Sequence, residues 1–154
     1  EQAMVSRYII DQFKSIRLRE FTEIGPRTVK AGSSVHLKTE YSVNLNMVNY
    51  PNLKTTMLNL LHPTSAVCGM PQNPAFKFII ENEGFNRNLF SGYLGPINNN
   101  GETNIFVNIR CMKVFDKKAV LYAGAGITEY SNSEREWYET ELKNETLLDV
   151  LYGS

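Results

Sequence analysis

Apolar residues recur at helical spacing where the chain begins. Val5, Ile9, Phe13 and Ile16 are separated by four, four and three positions, which predicts an amphipathic helix over Glu1 to Leu18. Gly25-Pro26 and Gly32 then punctuate short extended pieces. From Val35 to Asn46 the period falls to two. Val35, Leu37, Tyr41, Val43 and Leu45 share one face, and His36, Lys38, Glu40, Ser42 and Asn44 the other, the pattern of a half-buried strand.

A second helix is predicted over Leu53 to Leu61, stopped by His62-Pro63. Asn73-Pro74 offers an N-cap and a first-turn proline for a third, which carries Phe76, Ile79 and Ile80. A glycine-punctuated strand follows from Leu89 to Ile97, and Asn98-Asn99-Asn100-Gly101 is a strong turn signal. The stretch Asn104 to Phe115 alternates, with Ile105, Val107, Ile109 and Cys111 opposite Phe106, Asn108, Arg110 and Met112. A turn at Asp116-Lys117-Lys118 leads into a strand through Tyr122 and then Gly124-Ala125-Gly126. The last helix is expected from about Ser133 to Leu151, with Ser133 and Glu136 as a capping box. These elements predict one mixed α/β unit over residues 1–154, of the α+β kind, with largely antiparallel, hairpin-linked strands.

Composition narrows the partners. The 154 residues are 42% hydrophobic and 21% charged, and sixteen basic side chains balance sixteen acidic ones. Such a neutral chain lacks the charge footprint of a nucleic-acid or anionic-membrane binder, so neither partner is expected. A local cluster can still attract a small anion. Cys68 and Cys111 lie far apart without CxxC spacing and are expected as two free thiols. Asn144-Glu145-Thr146 fits a glycosylation pattern but falls inside a predicted helix. No apolar run approaches the roughly 20 residues of a membrane span, and a cytoplasmic protein is expected. The chain opens inside a helical pattern, as a piece of something longer would.

Three groups of residues carry candidate chemistry. Glu136, Glu139 and Lys143 stand at i, i+3 and i+7 on one helix face. Spacing alone fits a solvated face with a Glu139–Lys143 pair; it also fits a hard-metal site, since carboxylate oxygens suit Mg²⁺. Gly124-Ala125-Gly126 is an ordinary turn or a place where backbone N–H groups approach an anion. Arg110 sits between apolar neighbours, pointing to solvent or forking onto a carboxylate. His36, on the polar strand face, reads as a surface histidine.

In order, these pieces resemble the chorismate-binding enzymes. That family includes isochorismate, anthranilate, aminodeoxychorismate and salicylate synthases. The matching stretches are Val35-His36-Leu37, His62-Pro63-Thr64-Ser65-Ala66-Val67-Cys68-Gly69, Asn108-Ile109-Arg110, Ala123-Gly124-Ala125-Gly126-Ile127 and Glu136-Trp137-Tyr138-Glu139-Thr140-Glu141-Leu142-Lys143. The resemblance implies a two-sheet sandwich, with helices outside, of which this chain is the C-terminal part. It implies Mg²⁺ held by Glu139, by Glu136 close to the metal, and by Glu1, where Gln2 replaces the usual neighbouring histidine. It gives Arg110 and the Gly124 N–H the pyruvyl carboxylate of chorismate. Lys143 goes to the ring carboxylate, and His36, Ala66 and Val67 become substrate contacts.

Family members that use ammonia carry a Gly-Ser or Gly-Thr pair after the histidine–proline equivalent. Thr64-Ser65-Ala66-Val67 instead resembles the isochorismate and salicylate synthases, where water is the nucleophile. The resemblance therefore implies conversion of chorismate to isochorismate, for menaquinone or siderophore synthesis. The lysine base and glutamate acid are expected upstream of residue 1, in a missing N-terminal part of the same domain. The alternatives are an anthranilate or aminodeoxychorismate synthase component, a salicylate synthase, and a non-catalytic binding fragment.

Overall fold

A computed structural model describes residues 2–31 and 34–153. Among these residues the order is α1 (Gln2–Ser15), β1 (Thr22–Ala31), β2 (Ser34–Ser42), α2 (Leu53–Leu61), α3 (Gln72–Asn82), β3 (Tyr93–Leu94), β4 (Phe106–Val107), β5 (Cys111–Val114), β6 (Ala119–Tyr122) and α4 (Ser133–Tyr152). The strands form three antiparallel pairs, β1–β2, β3–β4 and β5–β6. The expected mixed α+β class with antiparallel pairing is what the chain adopts. It divides into two compact units, residues 1–66 and 67–154. Among the described residues, no helix is long and apolar enough to cross a membrane.

In the first unit, α1 buries Tyr8 and Phe13. The core joins Phe13, Leu18 and Leu53, with Ile9, Phe21, Tyr41 and Met57 packed on it. The Phe13 ring meets Phe21 and Tyr41 edge-on at centroid distances of 4.8 and 5.8 Å. α1 ends three residues before the expected Leu18. The Leu18 N–H bonds to the Phe13 carbonyl and the Arg17 N–H to that of Lys14, each at 2.9 Å, with Arg17 at φ 57. This is a Schellman stop, and the Leu18–Phe13 contact closes it.

Gly25-Pro26, expected to separate short pieces, instead lies within the ten-residue β1. The register shifts between Ile24 and Arg27, so the pair forms a bulge rather than a break. Gly25 is required there. It sits at φ 128, and a Cβ would come within 2.6 Å of the Lys38 carbonyl oxygen. On β2 the alternating face is only partly covered. Tyr41 packs on the core, whereas Val35 and Leu37 are 66% and 60% exposed.

In the second unit α3 starts at Gln72, with Pro71 rather than Asn73 as its N-cap. The expected strand Leu89–Ile97 contracts to Tyr93–Leu94. The asparagine turn behaves as read. Asn99 and Glu102 exchange backbone bonds of 2.8 and 3.0 Å across Asn100 and Gly101, both at positive φ, as a two-residue hairpin needs. Gly95 lets the paired chain pass, because a Cβ there would lie 1.8 Å from the Asn104 carbonyl oxygen. The strand expected over Asn104–Phe115 is broken. β4 and β5 are separate, and Arg110 between them has φ 49. The cap of α4 is Asn132, whose side chain accepts from the Arg135 N–H at 3.1 Å. Ser133 is therefore the first helical residue, and the expected Ser133–Glu136 box does not form.

Candidate functional site

The second unit brings three of the expected site residues into direct contact. β6 ends at Tyr122, and the chain passes Gly124 before turning into α4, which packs on β6. Lys143, two turns into that helix from Glu136, reaches back. Its Nζ donates to the Gly124 carbonyl at 2.8 Å and pairs with Glu139 Oε1 at 2.6 Å. The ordinary i,i+4 pair is thus present, and the same ammonium also pins the glycine turn. Glu136 is half-buried one turn before Glu139. Both carboxylates lie toward the N-terminal half of α4, where the helix dipole favours negative charge most in the first turn. A Cβ at Gly124 would meet the Phe90 ring at an ordinary 3.7 Å. The fold itself therefore has room for a side chain at this glycine.

Arg110 is not the mid-strand residue its neighbours suggested. The chain kinks at its left-handed backbone, a conformation uncommon for residues other than glycine and one that clusters at functional sites. The preceding residues are stapled to the turn before β3. The Asn108 amide donates to the Leu89 carbonyl at 2.8 Å. The Ser91 N–H donates to the Asn108 carbonyl and the Asn108 N–H to the Gly92 carbonyl, both at 2.8 Å. Arg110 is half-buried, and no carboxylate among the described residues pairs with it.

Val67 belongs to a turn that follows His62-Pro63. Its carbonyl accepts from Arg87 Nη1 at 3.2 Å, and the same nitrogen reaches Ser91 Oγ at 3.2 Å. The rest of the guanidinium is clamped by Glu83. Nε donates to one carboxylate oxygen at 2.6 Å, and Nη2 pairs with the other. The Glu83 carboxylate holds the Arg87 guanidinium above even its ordinary range. The Phe90 ring lies 5.7 Å from the guanidinium carbon and stacks on Tyr122 at 5.6 Å. Sequence reading passed over Arg87; the Glu83–Arg87 spacing of four was its signal, obscured because α3 ends at Asn82. Cys68 beside this turn is a buried free thiol, and burial pushes its pKa up; Cys111 is also free.

His36 and Ala66 belong to the first unit, and both are exposed. His36 stands opposite Val29 in the β1–β2 ladder. Glu1 lies outside the described residues. Its neighbour Gln2 is anchored, with its amide donating to Thr39 Oγ1 at 2.6 Å and to Ser6 Oγ at 3.0 Å. No three-residue metal cluster occurs among the described residues. The Glu136 and Glu139 oxygens nevertheless suit Mg²⁺, which is commonly held by one or two carboxylates with water and substrate completing its shell.

The sequence profile of the family described as chorismate binding enzyme matches residues 1–152. The chain belongs to the chorismate-binding enzyme family. Isochorismate synthase EntC of Escherichia coli (strain K12) is 36% identical over 125 residues, covering 81% of this chain and 31% of its own length. Isochorismate synthase DhbC of Bacillus subtilis (strain 168) is 34% identical over 126 residues, 82% of this chain and 31% of its own. Chloroplastic isochorismate synthase 2 of Arabidopsis thaliana is 33% identical over 144 residues, covering 93% of this chain and 25% of its own. The chain thus spans a third or less of these curated relatives. No solved structure matches it. As a partial chorismate-binding domain it carries the glycine turn, the arginine kink and the acidic helix together in one compact unit.

Proposed function

We propose that this chain is the C-terminal portion of a cytoplasmic, Mg²⁺-dependent isochorismate synthase, and that it supplies most of the anchoring for chorismate. The observation that carries the reading is Lys143 joining the Gly124 carbonyl to the Glu139 carboxylate. One ammonium links the glycine turn to the acidic helix, and Arg110 lies in the same unit with no carboxylate partner among the described residues. The names of the relatives support isochorismate formation as the reaction.

Chorismate is a dianion. Arg110 forks onto its pyruvyl carboxylate with the Gly124 N–H, a bidentate contact that a lysine would not reproduce. Glu136 and Glu139, with Glu1, would hold Mg²⁺, and the metal would supply positive charge to offset the ring carboxylate. Lys143 stands beside Glu139 to hold the same carboxylate. His36, Ala66 and Val67 contact the substrate. Isomerisation removes the C4 hydroxyl as water and adds water at C2, so no net atom is gained or lost. The base and acid for those proton transfers belong to the remainder of the domain, and isochorismate would feed menaquinone or siderophore synthesis.

Product analysis tests this. The full-length protein with chorismate and Mg²⁺ is expected to yield isochorismate, and this chain alone no turnover. Anthranilate or aminodeoxychorismate formed with ammonia would overturn the reading, and salicylate as main product would move it to the salicylate branch.

A further inference from the structure

We infer that Arg87 is a positioning residue that holds the substrate-facing segments of the second unit in register. The inference rests on the proposed chorismate site, but Arg87 itself has no place in that site. Its guanidinium makes contacts in three directions. Nη1 holds the Val67 carbonyl and, at the same 3.2 Å, the Ser91 hydroxyl. Ser91 is buried at φ 63, and its N–H bonds to the Asn108 carbonyl, two residues before the kink at Arg110. The guanidinium also stands over Phe90, whose ring tip lies beside Gly124 and whose ring stacks on Tyr122. The Asn88 amide ties the Tyr122 hydroxyl from the same turn at 3.0 Å. Val67, Arg110 and Gly124 come from three separate stretches of sequence. Val67 is in direct contact with this side chain, Gly124 lies beside the Phe90 ring under it, and Arg110 follows by two residues the Asn108 that Ser91 holds.

Glu83 makes Arg87 suitable for the task. Both carboxylate oxygens engage the guanidinium, so the fork arrives oriented, with Nη1 left for the two oxygens it bridges. A lysine would keep the ion pair but not the planar fork. Charged donors contribute more than neutral ones, and a carbonyl that loses such a donor is freer to move. The consequence falls on substrate binding rather than on the chemical step, because Arg87 touches the backbone of binding segments and no proton donor or acceptor of the reaction.

The test uses the full-length protein, chorismate with Mg²⁺, and the variants Arg87→Ala and Arg87→Lys. Arg87→Ala is expected to raise KM about tenfold, with kcat within about threefold of the parent. Millimolar guanidinium, far below the molar concentrations that unfold proteins, is expected to restore KM in Arg87→Ala by occupying the vacated donor position, a rescue that a general loss of stability would not show. Arg87→Lys is expected to keep the parent's melting temperature and still show a raised KM, which decides the matter if Arg87→Ala does not fold. Unchanged KM in both variants would overturn the inference, as would a raised KM that follows lost thermal stability and is not rescued by guanidinium. A parent that does not convert chorismate overturns the proposed function itself, and this inference with it.

Discussion

Arg110 shows what a single residue's sequence context conveys and what it hides. The motif Asn108-Ile109-Arg110 marked it as a carboxylate ligand, but the alternation of apolar and polar positions runs unbroken through it. Nothing in that period signals a left-handed backbone. The kink depends on the staples from Asn108 to Leu89, Ser91 and Gly92, contacts between residues about seventeen positions apart in the chain. Gly124 is the opposite case. The family motif assigns it an amide role toward the substrate, and the fold does not itself demand a glycine there, because a Cβ would meet Phe90 at ordinary contact distance. Gly124→Ala is therefore expected to leave thermal unfolding nearly unchanged while weakening chorismate binding by about tenfold, the effect of obstructing one hydrogen bond to a charged ligand. Paired melting and titration measurements check this, and unchanged affinity would remove the Gly124 amide from the site.

At the scale of elements, type was easier to read than boundary. α2 runs over Leu53–Leu61 as its apolar spacing indicated, and the asparagine turn closes a hairpin where expected. The ends of α1 and α4 were set by capping contacts that competing residues could equally have made. Ser133 with Glu136 looked like a box, yet Asn132, one residue earlier, captures the Arg135 N–H. Two substitutions of opposite sign test these assignments. Asn132→Ala is expected to destabilise the fold by about 1 kcal/mol. Arg17→Gly, placed at the left-handed stop of α1, is expected to stabilise it by about 0.5–1 kcal/mol. Urea unfolding reads both, and a neutral Asn132→Ala would return the cap to Ser133.

At the scale of the whole molecule, family and class were legible because five short motifs occur in one order along the chain. The extent of burial was not. β2 read as half-buried, yet Val35 and Leu37 are exposed, as are Phe76, Phe78, Ile80 and Trp137. Periodicity reports which residues share a face, not whether anything covers it. The same limit applies to the network around Arg87: the spacing of four marks its pair with Glu83, but no local pattern announces its contacts with Val67 and Ser91. The second unit holds an arginine at a backbone kink and an acidic helix whose lysine grips the glycine turn, and these are the two poles of the proposed site. The central claim is that chorismate's two carboxylates are divided between these poles. Titrating chorismate into the full-length protein and its Arg110→Gln and Glu139→Gln variants, with and without Mg²⁺, tests it directly. Arg110→Gln is expected to bind at least about tenfold more weakly while keeping the gain that Mg²⁺ gives, and Glu139→Gln is expected to lose that gain. Equal Mg²⁺ dependence in the parent and Glu139→Gln, or unaltered affinity in Arg110→Gln, would contradict it.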